Sequence, residues 1–204
     1  MTPTSQNVNR PDLDYWFHSD RQLQILYPSW IQLLADKHWT PLRVTNLIVQ
    51  FLATQKGARV LDIGSGVGKF CLAGAYLKPD ALFYGVEQRK HLVAHAEKAR
   101  VILNLKNVRF YHRNLTQMDF SQFDHFYFFN SFYENLADTD KIDNSVQCNP
   151  DLYDLYHSVL HQKLKAMPAG TRLATFHCLE GMTSAGYQLM EEHIGLLLRF
   201  WMKK

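Results

Sequence analysis

Apolar positions recur in two different periods along this chain. From Tyr15 to Trp39, Leu23, Leu26, Tyr27, Trp30, Ile31, Leu33 and Leu34 fall at helical spacings, and Val44, Leu47, Ile48, Phe51 and Leu52 repeat the pattern further on. Two helices are predicted. The second starts at Thr40-Pro41, a cap residue followed by proline at the first helical position, and closes at Lys56-Gly57. Beyond Gly57 the pattern changes to short strand-type runs: Arg59–Ile63, Leu82–Val86, Val108–His112, His125–Phe129 and Thr171–His177. Helical patterns occupy most of the gaps, at Lys69–Leu77, Lys90–Leu103 and Asp151–Met167. This alternation, with apolar strands, predicts an α/β fold: a doubly wound, mostly parallel sheet with helices on both faces. The last two runs, Tyr187–Glu191 and Leu196–Met202, are joined across His193–Gly195, too short a link for a parallel crossover, so a hairpin is expected.

Composition adds boundaries to this plan. Residues 1–12 are mainly Thr, Pro, Ser, Asn and Gln and read as a disordered lead-in, leaving residues 13–204 as one domain with a helical cap (13–56) and an α/β core (59–204). The N-terminus has no apolar signal-peptide core, no apolar run reaches membrane-spanning length, and Cys71, Cys148 and Cys178 are isolated from one another. A cytoplasmic chain is expected, with no membrane partner. A net charge of +3 names no partner. Between Arg89 and Arg113 seven basic residues face one acidic residue, Glu97, and these charges are read as a solvated outer helix face in preference to a nucleic-acid footprint.

Candidate chemistry is concentrated at the ends of the predicted strands. Val60-Leu-Asp-Ile-Gly-Ser-Gly-Val-Gly-Lys-Phe70 runs from a strand through Gly64, Gly66 and Gly68 into a helix start, where glycines permit positive φ and close ligand approach. The spacing is neither that of a dinucleotide fingerprint nor that of a phosphate loop. Asp62, just before the turn, repels phosphate and attracts a cationic amine. Glu87 ends the next strand 23 residues after Gly64, a spacing at which a carboxylate accepts hydrogen bonds from ribose hydroxyls. Asn114, after the third strand, has the donor and acceptor that an adenine edge needs. The three tips describe a site for amine, ribose and adenine without phosphate.

Val60 to Gly68, Gly85-Val-Glu87 and Phe126-Tyr-Phe-Phe-Asn130 together resemble the successive motifs of class I S-adenosylmethionine-dependent methyltransferases. The resemblance covers about residues 40–202 and implies a Rossmann-like seven-stranded sheet in the order 3-2-1-4-5-7-6, the inserted strand antiparallel. It implies S-adenosylmethionine as cofactor, held by Thr40, Asp62, Gly64, Ser65, Gly66, Gly68, Glu87, Gln88, Asn114, Leu115 and Asn130. Many members carry aspartate where Asn114 stands. Asn130-Ser-Phe-Tyr133 is similar to the Asn/Asp-Pro-Pro-Tyr/Phe segment of amino-methylating members, with Ser131 and Phe132 in place of both prolines, and to an Asn-Asn-Phe segment of histone-lysine methyltransferases that lack a SET domain. Both likenesses imply a nitrogen acceptor on a protein side chain or small molecule. The alternatives are a small-molecule O- or C-methyltransferase, or a module that binds the cofactor without turnover.

Methyl transfer is an in-line displacement at an activated carbon, so the protein must chiefly hold the nucleophile aligned and dehydrated. Asn130 and Tyr133 are the candidates for gripping it, and Glu134 or Tyr133 for taking its proton. Aromatic packing is an equal reading for Phe132 and Tyr133. His91/His95 and His157/His161 have zinc-compatible spacing without a third ligand and are read as surface histidines. Asp138–Asp143 fails the calcium-loop pattern. No metal is expected. The long aperiodic stretch Tyr133 to Pro150 is expected to be a substrate lid, and the aromatic cluster of Tyr15, Trp16, Phe17, Trp30 and Trp39 is read chiefly as a helical flap packed on the sheet edge, with closure over the methionine end of the cofactor as the alternative.

Overall fold

The structure is a computed structural model that describes residues 12–136, 139, 141–178, 182 and 185–204; all of the predicted lead-in except Asp12 lies outside them. Seven strands form one sheet in the order β3-β2-β1-β4-β5-β7-β6. They are β1 (Arg59–Ile63), β2 (Leu82–Glu87), β3 (Val108–His112), β4 (His125–Phe128), β5 (Arg172–Phe176), β6 (Tyr187–His193) and β7 (Leu198–Lys203). The first five pair in parallel, and β7 runs antiparallel to both β5 and β6, which makes the expected terminal hairpin. Its turn passes through Ile194, Gly195 and Leu196, all at positive φ.

Alternate strand residues feed two cores. Val60, Phe83, Tyr127, Ala174 and Phe200 pack with α5 (Leu42–Leu52), α6 (Lys69–Leu77) and α7 (Lys90–Ile102) on one face. Leu61, Ile63, Val86, Phe126, Phe128 and Trp201 pack with α8 (Pro150–Lys165) on the other. The helix α8 starts where Asn149 accepts from the Leu152 N–H at 2.9 Å and Pro150 follows. Between β3 and β4 the crossover holds only the 3-10 turns Leu115–Gln117 and Phe120–Gln122. No helix among the described residues is long and apolar enough to cross a membrane.

Two expectations at the N-terminus are corrected. The single helix expected between Tyr15 and Trp39 is four short ones, α1 (Leu13–Phe17), α2 (Asp20–Gln24), α3 (Ser29–Gln32) and α4 (Ala35–His38). Ser19 restarts the chain by accepting from the Gln22 N–H at 3.2 Å, and Pro28, in extended conformation, separates α2 from α3. Thr40 does not cap α5: Pro41 stands at the cap position, and the Thr40 hydroxyl pairs with the Tyr127 hydroxyl at 2.6 Å, deep in the fold. Phe17 stacks on Tyr76 of the helix α6 at 4.5 Å, whereas Trp30 is 45% exposed beside His91 and His95.

Candidate active site

The strand order reverses between β1 and β4, and a cavity of about 820 Å³ opens at the carboxyl ends of the strands there. Gly64, Gly66 and Gly68 all adopt positive φ, as the turn between β1 and α6 requires. Gly64 and Gly66 line the cavity with Ser65. Gly68 starts α6 and receives the Phe110 ring, whose edge would lie 2.4 Å from any Cβ placed there, so packing adds to its conformational requirement.

Two buried carboxylates face this space. Asp62 is 4% exposed, and its hydrogen-bond donor is the Cys71 thiol at 3.6 Å. No described cation pairs with it, and burial, with a smaller push from Glu87, raises its carboxyl to about 8. Glu87 is 5% exposed; one oxygen accepts from the Gly66 N–H at 3.1 Å and the other from the Arg89 N–H at 2.8 Å. Burial raises its pKa despite those two donors. Each Glu87 oxygen keeps a lone pair for a ligand donor. The buried hydroxyl of Ser65, beside Gly85, has no hydrogen-bond partner among the described residues. An uncompensated carboxylate, a doubly anchored one and an orphaned hydroxyl around glycine backbone fit the amine and ribose of S-adenosylmethionine.

At the far end Gln88, Asn114 and Leu115 line the cavity, but the Asn114 amide is not free. It donates to Gln88 Oε1 at 3.2 Å and to the Tyr156 hydroxyl at 3.0 Å, while its oxygen accepts from the Thr116 N–H. In this structure Asn114 braces the end wall.

The tip of β4 supplies the acceptor-side candidates. Asn130 lines the cavity in the left-handed region at φ 36°, a conformation that surrounding structure must enforce. Ser131 donates from its hydroxyl to the Ile63 carbonyl at 2.7 Å and so ties this tip to β1. Phe132 is buried against Phe128, Tyr156 and His157, whereas Tyr133 is 51% exposed and lines the cavity. Packing is therefore the role of Phe132, and Tyr133 is open to a substrate. Glu134 is buried and lines the cavity, with both oxygens in a bidentate pair with Arg89 at 2.8 and 2.6 Å.

Several residues of the site escaped the sequence reading. Arg89 is 2% exposed, which corrects the solvated helix face expected for it; burial opposes its charge, and the Glu134 pair outweighs that and holds the guanidinium charged. The basic run is further divided, since Arg109 belongs to the edge strand β3 and Arg113 stacks on Tyr111 at 5.7 Å. Lys69 is buried between Asp20, with which it forms an ion pair, and the Trp39 ring. His177, at φ 52° just past β5, lines the cavity and packs on Phe129 and Phe176, and burial lowers its pKa. One of the histidines expected on the surface differs: the His157 ring lies against Phe128, Phe132 and Tyr153, whereas His91 is 37% exposed. Continuous apolar runs mark the strand interiors, but nothing local distinguishes a buried arginine after a strand tip from an exposed one.

Residues 54–163 match the family described as methyltransferase domain. A release factor glutamine methyltransferase of Buchnera aphidicola subsp. Baizongia pistaciae is 33% identical over 84 residues, 39% of this chain and 30% of that protein. A tRNA (guanine-N(7)-)-methyltransferase of Synechococcus sp. is 49% identical over 55 residues, 27% of this chain and 23% of that protein. The matched segments thus span less than a third of either relative's own length. Among solved structures, the magnesium protoporphyrin IX methyltransferase of Synechocystis PCC 6803 with bound S-adenosylmethionine has a TM-score of 0.55 at 14% identity, covering 99% of this chain and 100% of that one. A methyltransferase of Aquifex aeolicus gives 0.55 at 15% identity over 78% and 89%. At such identities the likeness is one of fold, and the sheet order is the one the motifs implied. The family match covers more than half of the residues and includes the glycine turn, the Glu87 tip and the Asn130 tip, so the chain belongs to the methyltransferase domain family, of the class I S-adenosylmethionine-dependent type.

Proposed function

We propose that this protein transfers a methyl group from S-adenosylmethionine to a nitrogen atom of a protein side chain or a small molecule, in the cytoplasm. The observation that carries the reading is Asn130, held at φ 36° on the cavity wall at the tip of β4 and tied to the cofactor turn through Ser131. An amide in that place has an acceptor for an amine N–H and a donor for a neighbouring lone pair. The two curated relatives support nitrogen, since one is named for guanine N7 and the other for glutamine, whose side chain ends in a nitrogen.

Bound S-adenosylmethionine supplies a methyl carbon already activated by a sulfonium; the chain supplies placement. Asp62 balances the amine of the cofactor, and Glu87 with the Gly66 backbone fixes its ribose. The backbone carbonyl of Asn130 is engaged by the Tyr133 N–H at 3.0 Å, so the grip on the acceptor falls to the Asn130 side chain. Tyr133 covers it from the open side. Phe129, Phe176 and Leu197 give the cavity an apolar wall that excludes water around the nucleophile.

The test is transfer of labelled methyl from S-adenosylmethionine into a lysate of the source cells, resolved into protein and metabolite fractions. Label stable to base on a protein or an amine supports the reading. Label confined to base-labile esters, or full activity in Asn130→Ala, contradicts it.

A further inference from the structure

The most buried charge at the cavity belongs to a residue with no part in the binding roles above. Arg89 is 2% exposed and stands between the ribose-site carboxylate and the segment that follows β4. Its backbone N–H donates to Glu87 Oε1 at 2.8 Å, and its Nη1 lies 3.9 Å from the same oxygen. The fork of the guanidinium takes both oxygens of Glu134, and Nε donates to Asp143 Oδ1 at 3.1 Å. Asp143 is further held by His91 at 2.9 Å and itself accepts from the Ser145 N–H at 2.8 Å. One side chain therefore fastens two separated points of the segment, and between them Leu136 and Ile142 are placed on the cavity wall.

We infer that Arg89 is a positioning residue that couples occupancy of the ribose site to the order of residues 133–136 and 141–149, so that the acceptor side is assembled when the cofactor is in place. The inference rests on the cofactor reading proposed above.

The physical reason is a shared cation. Glu87 and Glu134 are both buried, Asp143 is partly so, and Arg89 serves all three. With the ribose site empty, Glu87 has two backbone donors and draws on Arg89 for its remaining stabilisation. Two ribose hydroxyls donating to Glu87 take over that demand and leave the guanidinium to Glu134 and Asp143. The coupling is reciprocal, so a loosened segment weakens cofactor binding by the factor by which the cofactor tightens the segment. A bidentate fork is required, and lysine, a point charge, cannot hold two carboxylates in one plane.

The experiment uses the full chain and needs no acceptor. Amide hydrogen exchange is followed with and without saturating S-adenosylhomocysteine in wild type, Arg89→Lys and Arg89→Met, with affinity measured calorimetrically on the same samples. In wild type, the ligand slows exchange at residues 133–136 and 141–149. In Arg89→Lys that ligand-dependent slowing is lost and affinity falls about tenfold, while exchange in β1, β4 and β5 stays as in wild type. Arg89→Met gives the same loss more severely. If it fails to fold, Glu134→Gln, which keeps the buried shape and drops the charge, is expected to lose the slowing as Arg89→Lys does. Slowing retained in both Arg89→Lys and Glu134→Gln, or ligand binding to wild type that leaves the segment's exchange unaltered, overturns the inference. Absence of S-adenosylhomocysteine binding by wild type removes the cofactor reading itself, a distinguishable outcome.

Discussion

Ser131 occupies the space that a side chain on Gly64 would need: its hydroxyl donates to the Ile63 carbonyl at 2.7 Å, and a carbon added to Gly64 would fall 2.3 Å from Ser131 Cβ. The tips of β1 and β4, which carry the cofactor turn and Asn130, are thereby held in contact. Gly64 is also at φ 77°, so Gly64→Ala meets both a clash and a strained backbone. It is expected to destabilise the fold by about 2 kcal/mol or more, a fall in Tm of roughly 5 °C for a chain of this size. Adding Ser131→Gly removes the clash and leaves the strain, so the double variant should recover only part of the loss. Full recovery, or an unchanged Tm in Gly64→Ala, contradicts the contact.

Asp62 makes the apo protein sensitive to pH in a defined direction. Burial raises its carboxyl to about 8 in the fold, against about 3.8 for the free group, so between those values the native state holds a proton that the unfolded state has released. Its stabilising contribution is full below the unfolded value and is lost as pH rises through the folded one, with a slope of up to about 1.4 kcal/mol per pH unit. Denaturant titrations from pH 5 to 8 should show apo Asp62→Asn gaining stability relative to wild type as pH rises. S-adenosylhomocysteine affinity of wild type should rise over the same range, because its cationic amine requires the carboxylate. A pH-independent difference between the two proteins contradicts the assignment.

The Tyr127 and Thr40 hydroxyls pair at 2.6 Å, and both residues are buried on the cavity wall. Burial raises the Tyr127 pKa well above the ordinary tyrosine value, so the phenol stays neutral and the pair persists across the working range. Tyr127→Phe leaves the Thr40 hydroxyl without this partner and is expected to cost about 1–2 kcal/mol in denaturant unfolding. Thr40→Val, with the methyl retained, should cost a similar amount, and the double variant less than the sum of the two. Additive losses contradict a direct interaction.

The central strands were readable because burial on both faces writes continuous apolar runs, the four helices packed on the sheet because their apolar positions recur at helical spacing, and the terminal hairpin because a short joint leaves only one pairing. Asp62, Glu87 and Asn130 were readable for a related reason: a polar residue closing an apolar strand sits where the sheet binds ligands. What escaped depends on partners distant in sequence. Arg89 followed by Lys90 looks like the start of an exposed helix face, and only Glu134 and Asp143 make it internal. Thr40 before Pro41 carries a cap signature, but Tyr127 takes its hydroxyl. Two of the three breaks among the short N-terminal helices turn on Ser19 and Pro28, single residues within a stretch whose apolar spacing is helical throughout.

Calorimetric titration of the wild-type chain and Glu87→Ala with S-adenosylhomocysteine tests the central claim most directly. Glu87 anchors to the Gly66 and Arg89 N–H groups and keeps a lone pair on each oxygen, which the proposed function assigns to the ribose hydroxyls. Binding to wild type at micromolar concentration, weakened about 100-fold or more in a folded Glu87→Ala, is the predicted result. No binding to wild type, or equal affinity in the two proteins, would contradict the account.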